Sequence, residues 1–498
     1  MLPSNGSNSG SQPDQSSCLA DGSVEEDVDR QVYLKLRDLR RENERLRSRL
    51  EDILGSNWWR LGAKLDRLRM KLGLKKSPRD IGKAETKPIE EGEGESPSSP
   101  VSASGESPLG EMAQHGADEH LNAILSARNT TLEALAHNAP GMLFLVPFLG
   151  QGGGLHSIVQ EVAAMRLLGF RAAVAIPENL AGEYQAKYPD LAVFETFKEP
   201  LDLLQRRTRY GAFVATYFTS VALLERLWLE DPSIVCGYYV QDYEPWFFEG
   251  GSEWERIAYR TYGSIPGMIH FAKTDFLCQT LEERHGIECR LVSPGLDRTV
   301  YVPPGEGEKP ERPLVVTAMV RPNTPWRRPE LTMRVLRSLQ REFGDKLSIE
   351  VFGCRNDDPA FEALPKDFQF KNLEILSRQD VSALLRRASV FLDLSIYQAF
   401  GRTGLEAMAS GCVPVLPEKC GPDSYARQHH NAILINTGDE QAAFEAVREL
   451  LFRPDFRRRL AESGLETAKK FSVPKAALEE CLLFVENQGS QVLSGQHV

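Results

Sequence analysis

The chain is poor in the features that would mark it as membrane-spanning, secreted or metal-stapled. Its 498 residues contain no apolar run approaching the ~18 needed to cross a bilayer, so a transmembrane segment is not expected. The opening MLPSNGSNSGSQPDQSSC has neither a basic start nor an apolar core and does not read as a secretory leader. Eight cysteines are scattered without CxxC or Cys/His spacing, so neither a zinc site nor a disulfide framework is indicated. Cys236 and Cys354 fall in apolar strand patterns and read as core residues in a reducing cytosol. Positive charge is also in deficit. The net charge of −11 argues against a general nucleic-acid binder. No Asp-x-Asp triplet follows an apolar strand, which removes one common metal-diphosphate signature; Asp357-Asp358 lies in a loop.

What is present is too long for one core. Residues 1–23 are rich in Ser, Gly and Asn, the composition of a disordered segment. Residues 24–76 read as a helical appendage. Val32, Leu39, Leu46 and Ile53 alternate with Leu36, Asn43 and Leu50 at a spacing of about 3.5, so residues 28–54 read as a coiled coil that makes a homo-oligomer, with Asn43 fixing register. A lone solvated helix is the blander alternative. Residues 58–76 then carry seven basic residues against Asp66 alone, beside Trp58 and Trp59. This face suits an anionic membrane surface or, equally, packing on the protein itself. Residues 77–120 are linker-like in their Ser, Pro, Gly and Glu content, and Leu121–Ala136 is amphipathic.

Two α/β domains follow, at 121–305 and 306–474, with a crossover helix and tail at 475–498. In the first, the apolar strand Met142–Phe148 runs into Gly152, Gly153 and Gly154 and a helix from His156, a strand–glycine–helix order that lets backbone approach phosphate. Strands at Arg171–Ile176, Ala212–Ala215 and Val235–Val240 repeat the βα rhythm. The last leads into Gln241-Asp242-Tyr243-Glu244-Pro245-Trp246. Carboxylates beside aromatics at a strand end fit a sugar site, with Asp242 the first choice for contact, Glu244 the second and Trp246 a ring platform; a surface turn is the bland reading. In the second domain, Leu314–Val320 ends in Arg321, with Arg327 and Arg328 following. Guanidinium forks suit diphosphate oxygens, and Arg328 is the alternative to Arg327. Val390–Ile396, the turn Gln398-Ala-Phe-Gly-Arg402-Thr403-Gly404, the helix at Arg402–Ser410 and Val413–Leu416 make another parallel βα unit, with Glu406 in its first helical turn.

Glu406-Ala-Met-Ala-Ser-Gly-Cys-Val-Pro-Val resembles the acid-AMA-x-G-x-PV segment of family-4 glycosyltransferases of the GT-B fold, and Arg321 with Arg327 matches that family's diphosphate-gripping pair. YQAFGRTGLEAMASGC, RPNTPWRRP and QDYEP resemble the WsaF-type rhamnosyltransferases. The resemblance spans Met142 to the C-terminus and implies two Rossmann-like doubly wound domains facing a cleft, with the acceptor on the first and the nucleotide sugar on the second. It implies transfer, with retention and without metal or other cofactor, of a sugar from a nucleotide diphosphate; dTDP-L-rhamnose is the donor suggested. It places Asp242, Arg321 and Arg327 in catalysis, and Gly152, Gly153, Gly154, Arg328, Gln398, Arg402, Thr403 and Glu406 around the donor. Gln398 stands where the family carries its first acid, so the hydrogen-bond pattern at the sugar changes. The implied acceptor is a glycan or lipid-linked oligosaccharide of a cell-surface polysaccharide, and the implied location is cytoplasmic, with peripheral contact at the inner membrane. A sugar-nucleotide epimerase, a phosphorylase, or a non-catalytic scaffold of a glycan-assembly complex are the rival readings.

Overall fold

The computed structural model describes residues 119–149, 153–189, 193–305 and 313–493. The expected coiled coil at 28–54, the basic helix at 58–76, the linker up to residue 118 and Gly152 lie outside the described residues, and the last two residues of the expected linker open a helix. Among the described residues no helix is long and apolar enough to cross a membrane.

The first lobe is a seven-stranded parallel sheet in the order β3-β2-β1-β4-β5-β6-β7. Its strands are β1 (Met142–Leu145), β2 (Ala172–Pro177), β3 (Phe194–Phe197), β4 (Ala212–Ala215), β5 (Val235–Val240), β6 (Ile269–Ala272) and β7 (Cys289–Leu291). Most are continuous apolar runs, as strands covered on both faces must be. The second lobe is a six-stranded parallel sheet in the order β10-β9-β8-β11-β12-β13. Here the strands are β8 (Leu314–Met319), β9 (Leu347–Phe352), β10 (Lys371–Asn372), β11 (Val390–Leu392), β12 (Val413–Pro417) and β13 (Ile433–Ile435).

In each sheet the chain runs outward one way and then restarts on the other side. β1 lies between β2 and β4, with Leu145 opposite both Ala175 and Ala215. β8 lies between β9 and β11, with Ala318 opposite Val351 and Leu392. Crossovers on opposite faces leave a crevice at the carboxyl ends of these central strands. The loops after β1, β4, β8 and β11 are therefore the ones the topology exposes to a ligand.

Five helices matter to the site: α1 (Gly153–Leu167), α2 (Phe218–Glu230), α3 (Arg378–Arg387), α4 (Arg402–Ala409) and α5 (Val473–Leu493). α5, the last in the chain, packs on the first lobe: Leu478, Cys481 and Phe484 join the core that holds Phe144, Val174 and Phe271. Gly237 in β5 has no room for a side chain because the Phe484 ring lies 2.7 Å from where its Cβ would stand.

Several sequence expectations change: the strand expected over Met142–Phe148 ends at Leu145, and the helix expected from His156 begins at Gly153. The amphipathic stretch Leu121–Ala136 is two helices, Glu119–Ala127 and Leu132–Asn138, broken by Asn129 at φ 47° and restarted by the Thr131 cap. The strand expected to reach Ile396 stops at Leu392. Asp393 then turns the chain, accepting from the Ser395 N–H at 3.0 Å and the Ser395 hydroxyl at 2.5 Å.

Candidate active site

On the first-lobe wall, the loop after β1 enters α1 at Gly153 and Gly154. A Cβ on Gly154 would stand 2.1 Å from Gln241 Oε1, so glycine is required where this helix start meets the end of β5. The Gln241 amide in turn donates to the Thr216 carbonyl at 3.1 Å, and the Thr216 hydroxyl donates to the Leu145 carbonyl at 2.8 Å. These bonds tie together the ends of β1, β4 and β5. Each of the three ends also supplies an aromatic ring. Phe148 meets the Tyr217 edge at 5.0 Å, and Tyr217 stacks on Phe247 at 6.5 Å. Phe148 and Phe247 remain 42% and 41% exposed, so their free faces form an open apolar row.

Asp242 begins the loop after β5. Burial pushes its carboxyl up to about 7, against the opposing pull of the Tyr243 N–H, which donates to it at 2.8 Å, and of the Arg327 charge. Glu244 takes a different position from the one its sequence context suggests. It is 1% exposed and turned under the loop, accepting from the Phe218 N–H at the start of α2 at 2.6 Å and from the Tyr238 hydroxyl at 2.9 Å. A helix N-terminus is a natural seat for a carboxylate, and Glu244 is spent there, supporting the loop rather than facing the cleft. Trp246 is half-exposed and sets its edge against Tyr397 of the second lobe at 5.1 Å, beneath the Arg284 guanidinium at 5.2 Å. The Thr274 hydroxyl donates to the Ala399 carbonyl at 3.0 Å, so the two lobes touch through both contacts.

On the second-lobe wall, Arg321 leaves β8 and rests its Nε 3.5 Å from the Met319 sulfur. Burial and the neighbouring Arg327 charge both press on its protonated form. Arg327 reaches the Ser395 hydroxyl at 3.5 Å. Neither is ion-paired with a carboxylate among the described residues, and two guanidiniums crowded without a counter-ion make a place for an anion. Arg328 leaves this pair. It sits at φ 48°, caps the helix Pro329–Phe343, and donates to the Thr437 carbonyl at 2.7 Å.

α4 follows the loop whose Ser395 meets Arg327. Gly401 holds φ 77°, its carbonyl accepting from the Tyr425 hydroxyl at 2.6 Å, and a Cβ on Gly404 would stand 2.4 Å from that same oxygen. Arg402 crosses the cleft and donates through Nη2 to the Ser157 hydroxyl of α1, while Thr403 follows it in the first turn. Glu406, 5% exposed, is hydrogen-bonded by Tyr301; burial raises its carboxyl, and the charges of Arg402 and Arg378 oppose the rise. Gln398 is buried with its amide donating to the Asp393 carboxylate and to Ser395 Oγ at 3.3 Å.

Sequence reasoning missed Arg378 and the contacts it makes from outside the motifs. Asp297, just before the interlobe segment, binds Gln160 of α1 at 2.6 Å and Arg378 of α3 at 2.9 Å. His156 is held neutral, its imidazole lowered to about 3 by burial and by the charges of Arg378 and Arg402. Nothing local in the sequence marks Arg378. Among the described residues no three His, Cys, Asp or Glu side chains gather as metal ligands would.

Two facing parallel α/β lobes with an anion-receptive cleft define the GT-B class of glycosyltransferase fold. Residues 307–467, the second lobe, match the family model of glycosyl transferases group 1. The O-antigen biosynthesis protein RfbC of Myxococcus xanthus is 26% identical over 238 residues, 47% of this chain but 18% of that protein. The trehalose synthase of Rubrobacter xylanophilus is 27% identical over 205 residues, 39% of this chain and 48% of its own length. The chain thus spans under half of the length of either relative. Among solved structures, Anabaena Alr3699/HepE in complex with UDP and glucose superposes with a TM-score of 0.56 at 15% identity, covering 72% of this chain and all of that one. WaaG, a glycosyltransferase involved in lipopolysaccharide biosynthesis, does so with a TM-score of 0.52 at 13% identity, covering 71% of this chain and 100% of its own. The second lobe is thus similar to the group 1 glycosyl transferases, and the two lobes together share the GT-B fold of these solved structures.

Proposed function

We propose that the protein transfers a sugar from a nucleoside diphosphate to a glycan acceptor, using the cleft between its lobes. The observation that carries this reading is the juxtaposition of Arg321 and Arg327, unpaired with any described carboxylate, with Arg327 close enough to Asp242 of the facing lobe to oppose the rise of its carboxyl. The departing diphosphate gains negative charge as the anomeric C–O bond breaks. Two guanidiniums, Arg402 and the positive end of α4 stabilise that charge as it forms. Glu406 accepts from the ribose hydroxyls, and Asp242 and Gln398 meet hydroxyls of the transferred sugar. The acceptor hydroxyl attacks the anomeric carbon on the face the diphosphate leaves. Its proton passes to a released phosphate oxygen, so configuration is retained and no further co-reactant is needed.

The acceptor is a saccharide. The aromatic row of Phe148, Tyr217 and Phe247 carries no charge and offers exposed ring faces, which pack on the C–H faces of sugar rings. The donor to test first is dTDP-L-rhamnose, on the likeness to the WsaF-type enzymes, and the setting is a cell-surface polysaccharide, as the names of the O-antigen and lipopolysaccharide relatives suggest.

Thermal unfolding of the full chain against a panel of nucleoside diphosphate sugars tests this. One donor raises the midpoint, and R321A and R327A each abolish the rise. Stabilisation by no donor, or by all donors equally in wild type and variants, overturns the reading. Release of an altered sugar without acceptor identifies an epimerase instead.

A further inference from the structure

The chain's Gln398 has no charge, yet it is not an isolated amide. Asp393, where β11 ends, is the hub of a short polar chain. Its Oδ1 accepts from the Ser395 N–H at 3.0 Å and the Ser395 hydroxyl at 2.5 Å, and its Oδ2 accepts from Gln398 Nε2. Having given its one proton to Asp393, the Ser395 hydroxyl has only lone pairs left. They face Gln398 Nε2 at 3.3 Å and Arg327 Nη1 at 3.5 Å.

The chemistry fixes the orientation of every member. An ionised carboxylate only accepts, so Gln398 must turn its amino group toward Asp393. Its carbonyl oxygen, which takes no hydrogen bond from a described residue, is then the one Gln398 atom left to meet a ligand. Likewise Ser395 presents an acceptor, not a donor, to Arg327. One negative charge thus sets two groups at once: a neutral acceptor on Gln398 and a guanidinium on Arg327.

We propose that Asp393 is the positioning residue of the sugar end of the donor site, orienting the Gln398 carbonyl toward the donor's hydroxyls and holding Arg327 through Ser395. The inference rests on the donor assignment above. It assigns no contact between Asp393 and substrate; Asp393 acts through its two neighbours. It also explains a constraint within the loop: with a carboxylate at 393, a second one at 398 would face it across a hydrogen-bond distance, and like charges so placed repel strongly in a half-buried setting.

A charge-swap series tests it in the full-length chain. Q398E should lower the thermal midpoint, and the double variant D393N/Q398E should restore it, because an amide at 393 then donates to a carboxylate at 398. D393N alone leaves two amides free to turn, and kcat/KM for the donor sugar should fall by roughly ten- to hundredfold. The amide oxygen at 393 still accepts from Ser395 and keeps Arg327 in place, so affinity for the sugar-free nucleoside diphosphates dTDP and UDP should stay within about twofold of wild type. A merely structural role would not produce that split between sugar-bearing and sugar-free ligands. S395A should weaken donor and nucleoside diphosphate together, because it releases Arg327. Kinetic constants for D393N equal to those of an active wild type overturn the assignment of Asp393, as does a double variant no more stable than Q398E. A wild type that neither binds nor consumes any nucleoside diphosphate sugar overturns the functional reading and this one with it.

Discussion

Arg402, the first residue of α4 in the second lobe, donates through Nη2 to the hydroxyl of Ser157 on α1 in the first lobe. The bond joins the starts of two helices that face each other over the cleft, so the guanidinium sits where both helices offer positive ends. An anionic diphosphate entering here competes with Ser157 for Arg402. R402A should therefore weaken donor binding by about ten- to hundredfold, the loss of a charge-assisted contact. S157A should leave donor affinity unchanged or improved, since it removes only the competitor. Calorimetric titration of both variants with the cognate nucleoside diphosphate checks the pair.

Glu406 is enclosed with Arg402, Arg378 and Tyr301, and its burial is tolerated because two cations and a hydroxyl face it. Removing the carboxylate leaves Arg378 its Asp297 partner and Arg402 its Ser157 bond but takes away the negative charge between the two guanidiniums, and breaking a buried ionic cluster from one side costs about 3–5 kcal/mol. E406A should lose on that order in chemical denaturation. E406Q, which keeps the Tyr301 bond, should fold more stably than E406A yet bind nucleotide weakly.

His156 gives the site a pH dependence of defined sign. Its folded pKa is lowered from 6.5 to about 3 by burial and by Arg378 and Arg402, with Asp297 opposing and Lys187 adding slightly. The unfolded chain therefore binds a proton on this group at a higher pH than the folded one. Its contribution to stability is complete above about pH 6.5 and is lost as pH falls toward about 3. Denaturation midpoints measured from pH 7 downward should fall over this window, and H156Q should flatten that part of the decline. Equal slopes for the two proteins would show that other groups set the acid limit.

The sheets were legible in the sequence because parallel strands buried on both faces must be apolar throughout, as in Cys236-Gly-Tyr-Tyr-Val240. The loops at the switch points were legible too, since glycine and arginine at strand ends carry a physical meaning. What the sequence hid was the destination of side chains that looked alike. Asp242 and Glu244 lie two positions apart in one loop, yet one faces Arg327 and the other is drawn beneath α2 by an unmet N–H. Arg327 and Arg328 are adjacent, and the left-handed turn at Arg328 separates their directions. Asp393 read as one more residue of an apolar strand, and only the turn after Leu392 reveals it as a hub. Pairings such as Asp297 with Arg378 join segments 81 residues apart and leave no local signal.

The last helix is fastened to the first lobe by a charge buried among opposite charges. Lys273, at the end of β6, meets Glu161 of α1 at 3.1 Å and Glu480 of α5 more closely still, donates to the Ser293 carbonyl at 3.3 Å, and lies over the Tyr239 ring at 5.0 Å. The two carboxylates outnumber the one ammonium. Burial and the Glu161 charge raise Glu480, and both carboxylates together raise Lys273 against its own burial. The lysine is thus what lets two acids face each other in the core. K273M should cost about 3–5 kcal/mol, because it leaves that acidic pair without a cation. Adding E161Q and E480Q to K273M should recover most of the loss, since neutral amides of the same shape no longer repel. If denaturant unfolding showed the triple variant no more stable than K273M, packing around the lysine stem rather than its charge would be what holds α5 in place.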